Sequence, residues 1–350
     1  MPILSYHLIA FLVAATLVLI STPIVKKVGL KTGLFDPPGG RKVHQHPMVR
    51  LGGVSIFFGA VVALLTVWGL GGFGVLPPDK EYEVWGVTIG GIAFFLIGLA
   101  DDIFSLSSLT RLLMQIVVAA AAWYVGVSID FLTVPSIGLV SLPDWLSALI
   151  TVVWLVGMVN AINWIDGLDG LAAGVSGIAA VVMLVVCLFM NQPAAALIVA
   201  ALAGATLAFL RYNFNPAKIF MGDGGAYFLG FTLAGVGVIG LVKTTTVAVL
   251  LPYIILAVPI LDMSAVIVDR LRHGKSPFVA DKRHLHHRLL QAGLSHRLTV
   301  LFIYVLTLWA GTLALAFAGI PSGVAYAIAA TALLIYFSWK VRWKVKSEKG

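Results

Sequence analysis

The stretch VTIGGIAFFLIGLADDIFSLSSL, residues 87–109, carries no charge until two carboxylates, Asp101 and Asp102, follow one another directly. An uncharged run that already extends back to Val84 is long enough to cross most of a ~30 Å hydrocarbon layer as a helix. A helix also satisfies its own backbone hydrogen bonds there. The acids then mark where the helix meets water. Working outward, the same pattern recurs at 5–25, 53–71, 85–102, 110–126, 145–162, 171–190, 194–211, 225–242, 246–268, 298–318 and 321–339. Of the 350 residues 60% are hydrophobic and 11% charged, with a mean hydropathy of +1.02, whereas a soluble domain carries roughly 25% charged residues. The expected fold class is therefore all-α: a polytopic membrane helical bundle of about eleven transmembrane helices. It forms a single integral membrane domain over 1–350, with a small hairpin at 127–144 and tight turns at 191–193 and 319–321.

The net charge of +8 raises the question of nucleic acid, but its placement answers otherwise. With the N-terminus outside and the C-terminus cytoplasmic, 21 of the 23 Lys and Arg fall on the inner side, only Lys80 and Lys243 lying outside. That is the positive-inside pattern, with some attraction to anionic lipid or phosphate. The same loops, with the helix ends that open into them, hold seven of the eight histidines and nine of the fifteen acids. Five cytoplasmic loops of one bundle can converge on a single site. The lone cysteine, Cys187, lies in an apolar span and excludes an intrachain disulfide. The first segment lacks a basic leader and a small-residue cleavage site, and reads as a retained span rather than a signal peptide.

Five segments can carry chemistry. At Asp101-Asp102 two like charges meet each other and the negative end of a helix, so the pair needs a cation or a bound basic group; the plain alternative is neutralisation by Arg111. In NAINWIDGLDGLAAG, 160–174, Asn160, Asn163, Asp166 and Asp169 recur every third residue and share a broad face, with amides and carboxylates that suit a hard cation or a nucleotide sugar. In RYNFNPAKIFMGDGGAYFLG, 211–230, Asp223 precedes Gly224-Gly225 at a helix start that favours phosphate or carboxylate, or is simply an N-cap. Asn213 and Phe220 stand near enough in sequence to meet a planar base. RLRHGKSPFVADKRHLHHRLL, 270–290, gathers His284, His286 and His287 with Arg272, Arg283 and Arg288. It lacks zinc spacing and reads as a pyrophosphate clamp, against the alternative of a solvated basic loop. GGRKVHQHPMVRLGG, 39–53, adds Lys42 and His44 and a second glycine pair.

These motifs, in this order and on one face, resemble the polyprenyl-phosphate N-acetylhexosamine-1-phosphate transferase family of glycosyltransferase 4 type, over essentially the whole chain. The run HLHHRLL and the absence of a lysine in DDIFSLSSL are more similar to its N-acetylglucosamine-1-phosphate branch than to the phospho-N-acetylmuramoyl-pentapeptide transferases of peptidoglycan synthesis, which remain the alternative. The resemblance implies transfer of N-acetylhexosamine-1-phosphate from a UDP-sugar to undecaprenyl phosphate, releasing UMP, as the first membrane step of a cell-envelope glycan such as lipopolysaccharide or teichoic acid. It implies Mg²⁺, with Mn²⁺ as a substitute, and a bacterial inner-membrane location with the site facing the cytoplasm. Partners are then the UDP-sugar, the lipid phosphate and the bilayer, with a homodimer allowed and no nucleic acid.

Carried onto this chain, the resemblance makes Asp223 the main metal ligand and Asn163 a second. It puts Asp101 and Asp102 beside lipid phosphate and metal, and Asp169, Asn213 and Phe220 around uridine. Arg272, His286, His287 and Arg288 then meet pyrophosphate and sugar, with Asp166 structural or near the metal. A lipid monophosphate, with a second pKa near ~6, is mostly dianionic at neutral pH, so direct attack is favoured over a covalent aspartyl intermediate. The rival of another class is an ion-coupled transporter, for which Asp262, inside the ninth span, is the fitting residue.

Overall fold

A computed structural model describes residues 3–36, 47–134, 138–242, 248–274 and 283–347. Thirteen helices follow one another among them: α1 (Ile3–Thr32), α2 (Gly52–Gly69), α3 (Pro78–Phe104), α4 (Ser108–Tyr124), α5 (Asp144–Ile165), α6 (Leu171–Phe189), α7 (Pro193–Asn213), α8 (Gly222–Val236), α9 (Leu251–Ile255), α10 (Ala257–Arg272), α11 (Leu285–Gln291), α12 (His296–Phe317) and α13 (Gly323–Ser347). Strand among the described residues is confined to two antiparallel pairs. β1 (Phe35–Asp36) pairs with β2 (Met48–Val49), and β3 (Phe131–Val134) with β4 (Gly138–Ser141), the latter forming the hairpin expected at 127–144. The chain is an all-helical integral membrane protein.

Nine of the described helices are long and apolar enough to cross a membrane. Two of the eleven expected spans take other forms. The fourth is α4, an apolar helix of 17 residues. The ninth, read from hydropathy as one run over 246–268, is divided into a short 3₁₀ turn, α9 and α10, with the break at Leu256. Pro259 explains the break: it has no N–H for the carbonyl of Ile255, four residues earlier. Hydropathy passes over a proline, so the sequence reading missed the division.

At the centre stands α8, in which every residue from Gly224 to Val236 is buried. It packs against α3, α5 and α2. Glycine permits the closest of these approaches: a Cβ on Gly53 of α2 would collide with the backbone of Gly225. Such contacts stand in for the hydrophobic drive that lipid removes from helix association. At the other extreme α13 packs chiefly on α12 and is largely exposed along its length.

Candidate active site

Tight reversals bring the acids together. After Asp101 and Asp102, α3 ends at Ser105 in the left-handed conformation (φ 52°), its amide bonded back to the carbonyl of Asp101. Ser107 then caps α4, its hydroxyl accepting from the amide of Thr110 at 3.1 Å. The reversal folds the first turn of α4 over the end of α3, so that Arg111 Nη1 lies 2.5 Å from Asp101 Oδ2 and 3.6 Å from Asp223 Oδ2. The plain alternative for the aspartate pair, neutralisation by Arg111, is thus met for Asp101. The same guanidinium also reaches a third acid, which the sequence reading did not foresee.

Asp102 has a different employment. Its Oδ1 accepts from the amide of Asp223 at 2.9 Å and its Oδ2 from that of Gly224 at 3.0 Å. The carboxylate expected at the N-terminus of the eighth span is thus supplied by the chain itself, where orphan amides and the dipole stabilise it. Gly222 makes this possible. It sits at φ 78°, and a Cβ there would strike the carbonyl of Arg50 and stand 2.7 Å from Asp102 Oδ2. The glycine pair 52–53, which opens α2, donates its amides to the carbonyls of Phe220 and Met221 at 2.9 and 2.7 Å.

Asn163, at the last turn of α5, donates to Asp223 Oδ1 at 2.7 Å, and so orients the carboxylate. Asp166 follows the end of that helix. Its carboxyl is pushed up to about 7 by burial, with the Asp102 charge adding to the effect. Among the described residues no three His, Cys, Asp or Glu converge as a preformed metal cluster. Mg²⁺, however, keeps to one or two carboxylates and takes other oxygens from water and substrate phosphate. Asp101 and Asp223, with a cationic guanidinium already drawn between them, fit that habit.

The uridine group of the sequence reading also converges. Asp169 Oδ2 accepts from Asn215 Nδ2 at 2.9 Å and from the amide of Ala217 at 3.0 Å. Asn213 is buried, its Oδ1 accepting from the amide of Gly170 and its Nδ2 donating to the carbonyl of Ile219. Its amide therefore shapes the loop from within. Phe220 lies at the end of that loop, its amide donating to the carbonyl of Val49 in β2. Tyr304 of α12, which no motif announced, supports the same turn by donating to the carbonyl of Gly170 at 2.5 Å. Asn160 turns away, toward Gln115 Oε1 of α4 at 2.8 Å.

The histidine segment meets the acid-bearing turn at Gly167. His286 is buried against Gly167, where a Cβ would stand 2.5 Å from its Nε2. Burial lowers its pKa to about 4, with His287 and His284 adding to the effect. His287 lies 4.2 Å from His286, ring to ring. Arg288 and Arg272 are exposed, and Arg272 makes no described contact with the cluster. His284 pairs with Asp262, Nδ1 to Oδ2 at 2.9 Å. The residue that best fitted an ion-coupled transporter is thereby engaged in holding the histidine loop. Lys42 and His44 lie outside the described residues.

Between α4, α5 and α10 runs an apolar cavity of about 610 Å³. Leu112, Ile116, Val153 and Ile267 line its length, and Arg111, Gln115, Asn160 and Trp164 its polar end.

Residues 84–241 match the model of glycosyl transferase family 4. The chain is 40% identical over 299 residues to a probable undecaprenyl-phosphate N-acetylglucosaminyl 1-phosphate transferase of Bacillus subtilis, covering 85% of this chain and 81% of that one. It is 36% identical over 334 residues to a decaprenyl-phosphate N-acetylglucosaminephosphotransferase of Mycobacterium tuberculosis, covering 87% and 80%. To an undecaprenyl-phosphate alpha-N-acetylglucosaminyl 1-phosphate transferase of Salmonella typhi it is 30% identical, covering 78% and 74%. With the reversals, the acids and the likeness pointing the same way, the chain belongs to glycosyl transferase family 4.

Proposed function

We propose that this protein transfers N-acetylglucosamine-1-phosphate from UDP-N-acetylglucosamine to undecaprenyl phosphate, releasing UMP. The observation that carries the reading is the apolar cavity whose polar end is Arg111, the residue that bridges Asp101 and Asp223. A long isoprenoid needs an apolar bed, and its phosphate needs a cation at the end of that bed. The names of the relatives support an N-acetylglucosamine donor over the muramoyl-pentapeptide alternative.

In this reading a lipid phosphate oxygen attacks the sugar-bearing β-phosphorus, and the bond from that phosphorus to the oxygen bridging to UMP breaks. Both reactants are anions, so the chain's work is positioning and electrostatic stabilisation. Arg111 meets the incoming phosphate, and Asp101 holds the guanidinium in place. Asp102 fixes the start of α8, and Asn163 turns Asp223 toward the cluster. Mg²⁺, held by Asp101 and Asp223, would neutralise charge on the pyrophosphate. Asp169, Asn213 and Phe220 present the loop that receives uridine, while His286, His287 and Arg288 approach from the sugar side.

The topology proposed with it has eleven crossings, α4 and α9–α10 included, with the N-terminus outside and the site on the cytoplasmic face of the inner membrane. The distribution of Lys and Arg supports it. The test is purified protein with Mg²⁺, undecaprenyl phosphate and radiolabelled UDP-N-acetylglucosamine. Lipid-linked label and an equal amount of UMP are expected. Neither product across a panel of UDP-N-acetylhexosamines overturns the proposal.

A further inference from the structure

Asp262 is a buried acid for which the transfer chemistry has no direct use. It lies in α10, just after the break at Leu256, and is 8% exposed. Both of its oxygens are committed to two consecutive residues of another segment. Oδ2 meets His284 Nδ1 at 2.9 Å, and Oδ1 accepts from the amide of Leu285 at 2.7 Å. The first contact fixes the rotation of an imidazole that is itself only 6% exposed. The second satisfies an orphan amide at the start of α11, a helix of seven residues, too short to be stable alone.

From His284 the constraint passes on through packed rings. The imidazoles of His284 and His286 are nearly parallel, 8° apart with centroids 5.7 Å apart, and His286 in turn contacts His287 at 4.2 Å. On the other side His284 meets Trp164 in an edge-to-face arrangement at 5.8 Å, and Arg270 covers that indole at 5.1 Å. Trp164 adjoins Asn163, the residue that orients Asp223. His286 fills the space left by the missing side chain of Gly167. Rotation of His284 would therefore displace His286 from the acid-bearing turn.

We propose that Asp262 is a positioning residue of the transfer reaction: acting through His284 and the first turn of α11, it sets where His286 and His287 stand against residues 163–167. The proposal rests on the transferase reading for its effect on catalysis, and on geometry alone for the pairing. An accepting carboxylate requires a proton of His284 on Nδ1, which is the usual way a second partner fixes an imidazole.

Asp262→Asn tests it at nearly constant volume. The amide oxygen can still take the Leu285 amide, but the amide nitrogen faces Nδ1 and drives the proton of His284 to Nε2. By analogy with outer partners of metal-ligating histidines, kcat/KM for the UDP-sugar falls about 10- to 100-fold. The KM for the lipid phosphate and the melting temperature stay near those of the wild type. In a His284→Ala background the same substitution adds less than about a twofold loss, because residues acting as one unit are not additive. A wild-type kcat/KM in Asp262→Asn, or fully additive losses, overturns the proposal.

Ring ¹⁵N shifts of histidine-labelled wild-type protein give a readout independent of turnover and of whether the variant folds. A proton on Nδ1 of His284 is expected, and a proton on Nε2 alone overturns the pairing. A wild-type protein that makes no lipid-linked product refutes the transferase reading, while the ring shifts still decide the geometry.

Discussion

The acids and the histidines of the site are held in opposite ways. Each acid sits at the end of a long apolar helix and is tied to another: Asp102 to the amides of α8, Asp101 to Arg111 of α4, Asp223 to Asn163 of α5. Displacing one means moving a helix embedded in the bundle. The histidines ride on seven residues of helix, anchored by Asp262 and by ring contacts. The acids are thus fixed by long helices, while the histidine segment hangs on one buried carboxylate and its ring contacts.

The most damaging substitution on the acid side acts on turnover. Asp223 is about a third exposed, and its carboxyl meets Asn163, Arg111 and the carboxyl of Asp101. Asp223→Ala should therefore leave the fold intact while lowering kcat by about 10³-fold, the scale of losing one electrostatic contact to a transition state. Single-turnover transfer and a thermal melt in the same detergent check it. A variant that retains more than a tenth of the wild-type rate removes Asp223 from the metal assignment.

Asp102→Ala probes the same half through stability. Two amides at the start of α8 lose their acceptor, which costs about 2 kcal/mol. The expected fall in melting temperature is roughly 3 °C, together with a loss of activity as Asp223 drifts. An unchanged melt would mean that water replaces the carboxylate, and that the two adjacent acids do not divide the labour as the hydrogen bonds imply.

How much of this was legible in the sequence depends on the range of the interaction. Apolar length marks the spans directly, and the glycine-rich turns at 167–170 and 222–225 announced the points where helices reverse. The clustering of Asp101, Asn163 and Asp223 followed from putting their loops on one face. What could not be read is which partner each polar group chooses. Asp101 and Asp102 are identical neighbours, yet one faces a guanidinium and the other two amides, because helical rotation separates them by about 100°. Asp262 looked like a transport acid because its partner, His284, is twenty-two residues away in sequence. Arg111 could be named as a neutraliser of the aspartate pair, but its reach to Asp223 depends on the turn at Ser105 that folds it back.

Between the two halves lies the contact of Gly167 with His286, and Gly167→Ala tests how tightly they are matched. The added methyl falls 2.5 Å from Nε2, so the buried ring must move. A loss of about tenfold in kcat/KM for the UDP-sugar is expected, or about 1.4 kcal/mol, with Mg²⁺ dependence unchanged. Should the Mg²⁺ dependence shift instead, the methyl has disturbed Asp166 and the acid half, and the two halves are not independent.

The smallest effect is in the pH dependence of stability, where the halves oppose each other. His286 titrates at about 4 when folded and at 6.5 when free, so between those values the unfolded chain binds the extra proton. Its contribution is complete above 6.5 and is lost as pH falls toward 4. Asp166 titrates at about 7 when folded and at 3.8 when free, so over 3.8 to 7 the folded chain holds the extra proton. Its contribution is complete at low pH and is lost as pH rises toward 7. In the shared window from 4 to 6.5 the two slopes oppose each other. Single variants expose the slopes as changes from the wild type: His286→Asn makes the slope of stability against pH more negative, and Asp166→Asn makes it more positive. With the half-buried site of Asp166 discounted for solvent screening, each change is about 1 kcal/mol across the window. Parallel slopes in the two variants would show that the groups share one environment, and that the division between a fixed acid half and a suspended histidine half is not electrostatic.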